Sequence, residues 1–137
     1  MFQLKDKVAV VTGGSRGIGR AICVALAGAG ARVVVNYQGN EQAASETLEQ
    51  VRAAGSDGEI CRFDVADEAQ VQAAFKSIVK THGRLDILVN NAGIARDQLL
   101  LRVKEQELSE TFATNLGGTI YCAKAAIRTM MRAKTGR

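Results

Sequence analysis

Eight residues near the N-terminus, Thr12-Gly13-Gly14-Ser15-Arg16-Gly17-Ile18-Gly19, have the types and spacing that a nucleotide pyrophosphate needs. They follow the apolar run Val8-Ala9-Val10-Val11 and open an apolar-periodic segment. Glycines let the backbone turn tightly and approach phosphates, and a helix N-terminus offers free N–H groups at its positive dipole end. The spacing also approaches a P-loop from Gly14 to Gly19. Arg20 and Ala21 follow where a P-loop needs lysine and a hydroxyl, so that reading is set aside. The turn therefore points to a dinucleotide, without saying what is done with it.

The elements that must position this turn alternate in type. Val8–Thr12 reads as a strand and Gly17–Ala29 as a helix, with Ile18, Ala21, Ile22, Ala25 and Leu26 on its apolar face. Arg32–Tyr37 is a second strand, and Asn40 can cap a helix from Glu41 to about Ala54 that Gly55 stops. Glu59–Phe63 is a third strand. Asp67 and Gln70 form a possible cap pair for a helix running to His82 and closed by Gly83. Asp86–Asn90 is a fourth strand. Lys104–Thr114 and Asn115–Lys134 read as helices, the second ended by Gly136. Such alternation implies right-handed crossovers and a parallel α/β sheet, doubly wound in the order 3-2-1-4. Ligands then bind at the switch point, between the glycine turn and Asn90-Asn91-Ala92-Gly93.

Composition narrows the setting. The 137 residues suffice for one domain, 1–137, and 47% hydrophobic with 23% charged is ordinary for a soluble chain. No apolar run approaches a membrane span, and the first residues lack the apolar stretch of a signal peptide. Cys23, Cys61 and Cys122 are scattered without metal spacing, which suits reduced packing thiols in a cytoplasm. His82 is the only histidine and receives no catalytic role. Five of the 18 basic residues (Lys124, Arg128, Arg132, Lys134, Arg137) lie in an acid-free C-terminal stretch, leaving 13 against the 14 acids. That excess either complements a helix C-terminus or forms a patch for an acidic partner; nucleic acid fits poorly with 4% aromatics and a near-neutral body.

Taken in order, the glycine motif, Asn90-Asn91-Ala92-Gly93 and Asn115 resemble the short-chain dehydrogenase/reductase family over the whole chain. The segment Asn91-Ala92-Gly93-Ile94-Ala95-Arg96-Asp97-Gln98-Leu99-Leu100-Leu101-Arg102 further resembles 3-oxoacyl-(acyl-carrier-protein) reductases, which use NADPH in fatty acid synthesis. Leu99, Leu100 and Leu101 could equally pack that loop against the core. The resemblance implies a Rossmann-type sheet, with Gly13, Ser15, Arg16, Gly17, Ile18, Gly19, Asn36, Asp64, Val65, Asn91, Ala92 and Gly93 around the cofactor. In the family Asp64 and Val65 would contact the adenine, although Asp64 could instead cap the next helix. Asn115 would kink its helix and hold a water in the proton relay, or simply cap a new helix.

An NAD-specific fold places an acid at the end of the second strand for the ribose hydroxyls. Here Val35-Asn36-Tyr37 carries none before Glu41; Asn36 leaves room for a 2′-phosphate and Arg16 can pair with it, so NADP(H) is expected. Arg16 could also be a solvated surface residue. Arg128 and Arg132, one helical turn apart, could dock acyl carrier protein, and the family commonly forms tetramers.

The family's proton donor is a tyrosine in Tyr-x-x-x-Lys, aided by a serine. Only Tyr37 and Tyr121 occur here, and Lys124 follows Tyr121 at three residues rather than four. The sequence accordingly reads as the N-terminal part of a longer reductase, inactive alone, with its fourth strand an exposed apolar edge open to association. Two other readings stay open: a short-chain reductase of a sugar, steroid or small alcohol, and a non-enzymatic dinucleotide-binding module.

Overall fold

The computed structural model describes residues 3–137. In chain order the elements are β1 (Val8–Val11), α1 (Gly17–Gly28), β2 (Arg32–Tyr37), α2 (Glu41–Ala53), β3 (Gly58–Arg62), α3 (Glu68–His82), β4 (Ile87–Val89), α4 (Glu105–Phe112) and α5 (Gly118–Ala133). The strands form one parallel sheet in the expected order β3-β2-β1-β4. Ala9 pairs with Val33 on one side and with Ile87 on the other. Central β1 is covered on both faces, so it is apolar throughout rather than alternating.

The two-residue period of the strands divides the core. Val11, Val33, Val35 and Tyr37 pack with Cys23 and Ala27 of α1 and with Ala44 and Val51 of α2. Val8, Val10 and Val34 face the other way, onto Val71, Phe75 and Ile78 of α3 and Cys122 and Ala126 of α5. Phe63 meets Phe75 edge to face, ring centres 5.9 Å apart. Burying each such valine or phenylalanine stabilises the fold by about 1.5–3 kcal/mol. Burial also holds all three thiols protonated: Cys23 and Cys122 are pushed up to about 12 and Cys61 to about 11.

The local signals act as their chemistry requires. Asn40 accepts the Ala43 N–H at 2.9 Å and Asp67 accepts that of Gln70 at 3.1 Å. Gln70 does not return a bond to the Asp67 backbone; its Oε1 accepts from Asp64 N–H instead. Helix α3 stops at Gly83 in the left-handed region.

Four expectations are corrected. The apolar face of α1 is rotated by one residue: Gly19, Cys23 and Ala27 are buried, Ile22 and Leu26 pack partly buried beside them as expected, and Ile18, Ala21 and Ala25 are exposed. The two last helices are one helical course through a single π-turn, Ala113–Gly117, so Asn115 caps nothing. Lys134, not Gly136, carries the left-handed stop of α5. Leu99, Leu100 and Leu101 do not pack on the core, being 67%, 87% and 99% exposed beside a 3₁₀ turn at Leu100–Arg102.

The edge of β4 is also less bare than its sequence suggests. Arg137 N–H donates to Asp86 C=O and Arg137 C=O accepts from Leu88 N–H, both at 2.9 Å, which is a parallel pairing opposite Ile87. The preceding Gly136 allows that return, because a Cβ there would press on Met130 Sδ at 2.6 Å.

Buried Asp86 anchors the base of the sheet. Its Oδ2 accepts Val8 N–H at 2.9 Å, and Arg84 grips both carboxylate oxygens at 2.7 and 2.8 Å. Burial alone would raise its pKa; the bonds from Arg84 and Val8 outweigh this and lower it. A folded-state pKa below the unfolded one adds stability above about pH 4 that is lost as pH falls through the folded value. Exposed Asp57, lowered by Arg52 and Gly58 N–H, acts in the same direction. We expect Asp86→Asn to cost about 2 kcal/mol at neutral pH and to flatten the acid limb of stability, read by urea titration from pH 7 to 3. An unchanged acid limb would count against this role.

Candidate functional site: a dinucleotide cleft at the β1–β4 switch point

A cleft of about 570 Å³ opens at the carboxyl ends of β1, β2 and β4. It brings together Gly13, Ser15, Arg16, Gly17, Ile18 and Gly19 with Asn36, Val65, Asn91, Ala92 and Gly93. Among the sequence-derived cofactor residues, only Asp64 does not line it. Its Oδ1 accepts Ala66 N–H at 2.9 Å, so the carboxylate is used in a local turn. The loop Tyr37–Asn40, with Phe63, Ile94 and Thr114, completes the wall.

The glycine turn is held from beneath by side chains of strand ends. Gly13 and Gly17 are left-handed, at φ 63° and 56°. Gly19 presses on the turn itself: a Cβ there would overlap the Gly13 carbonyl oxygen and lie 2.6 Å from Asn91 Nδ2. This contact explains the rotation of α1, whose glycine face must meet the turn. The amides of Arg16, Gly17, Ile18 and Gly19 have no acceptor among the described residues, which leaves them for an anion at the helix start.

Three side chains supply the bracing. Thr12 is buried; its Oγ1 accepts from Asn91 N–H at 3.0 Å and Ala92 N–H at 2.9 Å. Asn91 Nδ2 donates to the carbonyls of Thr12 and Gly13, each at 3.1 Å. Asn36 Oδ1 accepts Gly13 N–H at 3.1 Å, while its Nδ2 faces the carbonyls of Phe63, Cys61 and Tyr37 at 3.1–3.4 Å. Asn36 is thus more than the space-leaving residue of the sequence reading. It ties the turn to β3, and an aspartate there would confront three carbonyl oxygens without a donor.

Asn115 sits in the π-turn, a rare geometry that recurs at functional sites. Its Oδ1 accepts Ile94 N–H at 2.7 Å and its Nδ2 donates to Ile94 C=O at 2.9 Å. Gly93 makes room, since a Cβ there would lie 3.2 Å from Asn115 Oδ1. Neighbouring Thr114, not Asn115, lines the cleft. One Nδ2 hydrogen and one Oδ1 lone pair remain on Asn115 for a water.

This cradle fits a dinucleotide. A family model for short chain dehydrogenase matches residues 7–137. The chain belongs to the short-chain dehydrogenase family. A 3-oxoacyl-(acyl-carrier-protein) reductase of Staphylococcus aureus strain Mu50 is 46% identical over 130 residues, covering 95% of this chain and 53% of that protein. One from Synechocystis is 41% identical over 137 residues, covering 100% and 56%. A metagenomic short-chain oxidoreductase solved in complex with NADP superposes with a TM-score of 0.92 at 35% identity, over 97% of this chain and 60% of that one. This short-chain dehydrogenase chain spans about half the length of the curated relatives it matches.

Arg128 and Arg132 meet outside the cleft. Both line a groove of about 570 Å³ between α3 and α5, with Lys76, Lys124, Phe75 and Tyr121. Glu68 is the only acid there and pairs with Lys124 at 3.1 Å. Among the described residues no cluster of His, Cys, Asp and Glu could hold a metal ion, and no helix is long and apolar enough to cross a membrane.

Sequence reasoning read Thr12 only as part of the glycine motif, and gave the Tyr37–Asn40 loop and Arg20 no part in the site. Thr12 was legible as a polar end to an apolar strand; the other two depend on how β2 and α2 fold over the turn. We expect Gly19→Ala to destabilise the chain by about 2 kcal/mol or more, although glycine to alanine within a helix ordinarily stabilises. Thermal melts check this, and a variant as stable as wild type would remove the close contact.

Proposed function

We propose that this chain is the cofactor-holding part of an NADP(H)-dependent reductase acting on the 3-oxo group of acyl-carrier-protein thioesters. The carrying observation is the cleft's lining. It combines unpaired first-turn amides with Arg16, and no lining residue is acidic, including those of the β2-end loop where a ribose-binding carboxylate would stand. Arg16 forms no ion pair with a described residue, so its guanidinium is free for a 2′-phosphate. The substrate class rests on the two curated relatives named above, and NADP gains support from the solved neighbour.

In this reading the first-turn amides and the Ser15 hydroxyl hold the pyrophosphate. Val65 faces the adenine end, and Asn91, Ala92 and Gly93 border the nicotinamide end. Bound nicotinamide supplies the hydride. Asn115 positions a relay water and, through Ile94, fixes the loop after β4. The 137-residue chain has no Tyr-x-x-x-Lys, and Tyr121 lies on the α3–α5 groove rather than in the cleft. Calorimetry should therefore give NADPH binding about tenfold or more tighter than NADH, with the preference lost in Arg16→Ala. The chain alone should not oxidise NADPH with an acetoacetyl thioester. Equal or tighter NADH binding, or turnover, would overturn this reading.

The α3–α5 groove is proposed to dock the acidic carrier protein through Arg128 and Arg132, its cations outnumbering its single acid. Leu108, Phe112, Leu116, Ile120, Ile127 and Met131 form an exposed apolar stripe along α4 and α5, which we assign to a second copy in a homo-oligomer. In the full-length enzyme, Arg128→Glu should lower kcat/KM about tenfold on carrier-linked substrate and leave a small thioester unaffected, both forms sedimenting as oligomers. Undiminished efficiency on carrier-linked substrate would remove the docking assignment, and a monomer would remove the second copy.

A further inference from the structure

Arg20, on the second turn of α1, reaches away from the cleft and toward α2. Its Nε donates to Thr47 Oγ1 at 2.9 Å, and its Nη2 donates to the carbonyls of Ser15 at 2.7 Å and Ala43 at 2.9 Å. Thr47 is fully buried, and its hydroxyl donates in turn to Ser15 C=O at 3.1 Å or Ala43 C=O at 3.3 Å. Glu46 adds an exposed contact at 3.3 Å. Two donors thus hold the Ser15 carbonyl on the α2 side. In a trans peptide the next N–H points the opposite way, so the Arg16 amide is turned from α2 and left without a described acceptor.

The same guanidinium fastens α2, whose N-cap Asn40 belongs to the loop that lines the far end of the cleft. We propose that Arg20, acting with Thr47, is a positioning residue for the cofactor: it locks the Ser15–Arg16 peptide with its N–H outward and joins the phosphate turn to the Gln38–Asn40 loop. This inference rests on the dinucleotide reading above. A planar fork is needed, because three acceptors lie in different directions around one group; a lysine ammonium on a flexible stem does not hold them in one plane. The Glu46 pair, being exposed, contributes little.

Calorimetric titration with NADPH, at a temperature where circular dichroism shows every variant folded, tests this. Arg20→Met should weaken binding about tenfold or more, and Thr47→Val about threefold or more. Arg20→Lys should not restore wild-type affinity, and Glu46→Gln should bind as wild type. The double variant Arg20→Met with Thr47→Val should be weakened by less than the product of the single effects. A purely structural role would lower the melting temperature while leaving the Kd within about twofold, and that result overturns the proposal. Should Arg20→Met fail to fold, Thr47→Val decides, with unchanged affinity again overturning it. Wild type binding neither NADPH nor NADH would overturn the dinucleotide reading and this inference with it, whereas wild-type binding with unaffected variants overturns this inference alone.

Discussion

The site depends on one close approach, between the backbone of the glycine turn and the first turn of α1. Gly19 must lie so near the Gly13 carbonyl that any side chain is excluded. That contact brings the helix N-terminus under the turn and sets which face of α1 meets the sheet. It also fixes where the unpaired amides of Arg16 to Gly19 are presented. An anion there meets both free donors and the positive end of the helix dipole.

Such a turn would collapse or twist without bracing, and the bracing is polar and largely buried. Thr12, Asn36 and Asn91 each satisfy backbone groups of the turn or of the strand ends beside it. Each makes several bonds, so the groups facing inward are satisfied while those facing the cleft remain free. A buried network of this kind is costly when incomplete and rigid when complete. Arg20 and Thr47 extend it to α2, outside the sheet. Asn115 does comparable work on the opposite wall, where a π-turn brings its side chain onto Ile94. Both walls of the cleft are therefore set by side-chain amides bonded to backbone; Asn36 and Asn115 resist rotation because their donor and acceptor ends are each engaged.

Much of this was legible from residues alone. The apolar runs and the stops at Gly55 and Gly83 located four strands and their helices to within a residue or two. The caps at Asn40 and Asp67 were readable because they act within three residues. The exposure of Leu99–Leu101 was not, because an apolar triplet in a loop reads as packing until nothing is found over it. The π-turn was hidden for a related reason: Asn115 can start a helix or interrupt one, and only its pairing with Ile94, 21 residues away, separates the two. Asn36 was noticed for lacking a charge, whereas its geometry adds a positive role.

The sequence by itself determined the parallel α/β architecture, the strand order and the glycine turn, because two-residue and helical periodicities and local stops are written in neighbouring residues. It also determined the family, through motifs whose order and spacing recur. Tertiary structure alone decided the rotation of α1 and the continuity of the last helices. It also decided the pairing of Arg137 with β4 and the reach of Arg20 to Ser15, Ala43 and Thr47. Each of these joins residues from different elements, and their meeting follows from how helices settle on the sheet rather than from any local pattern.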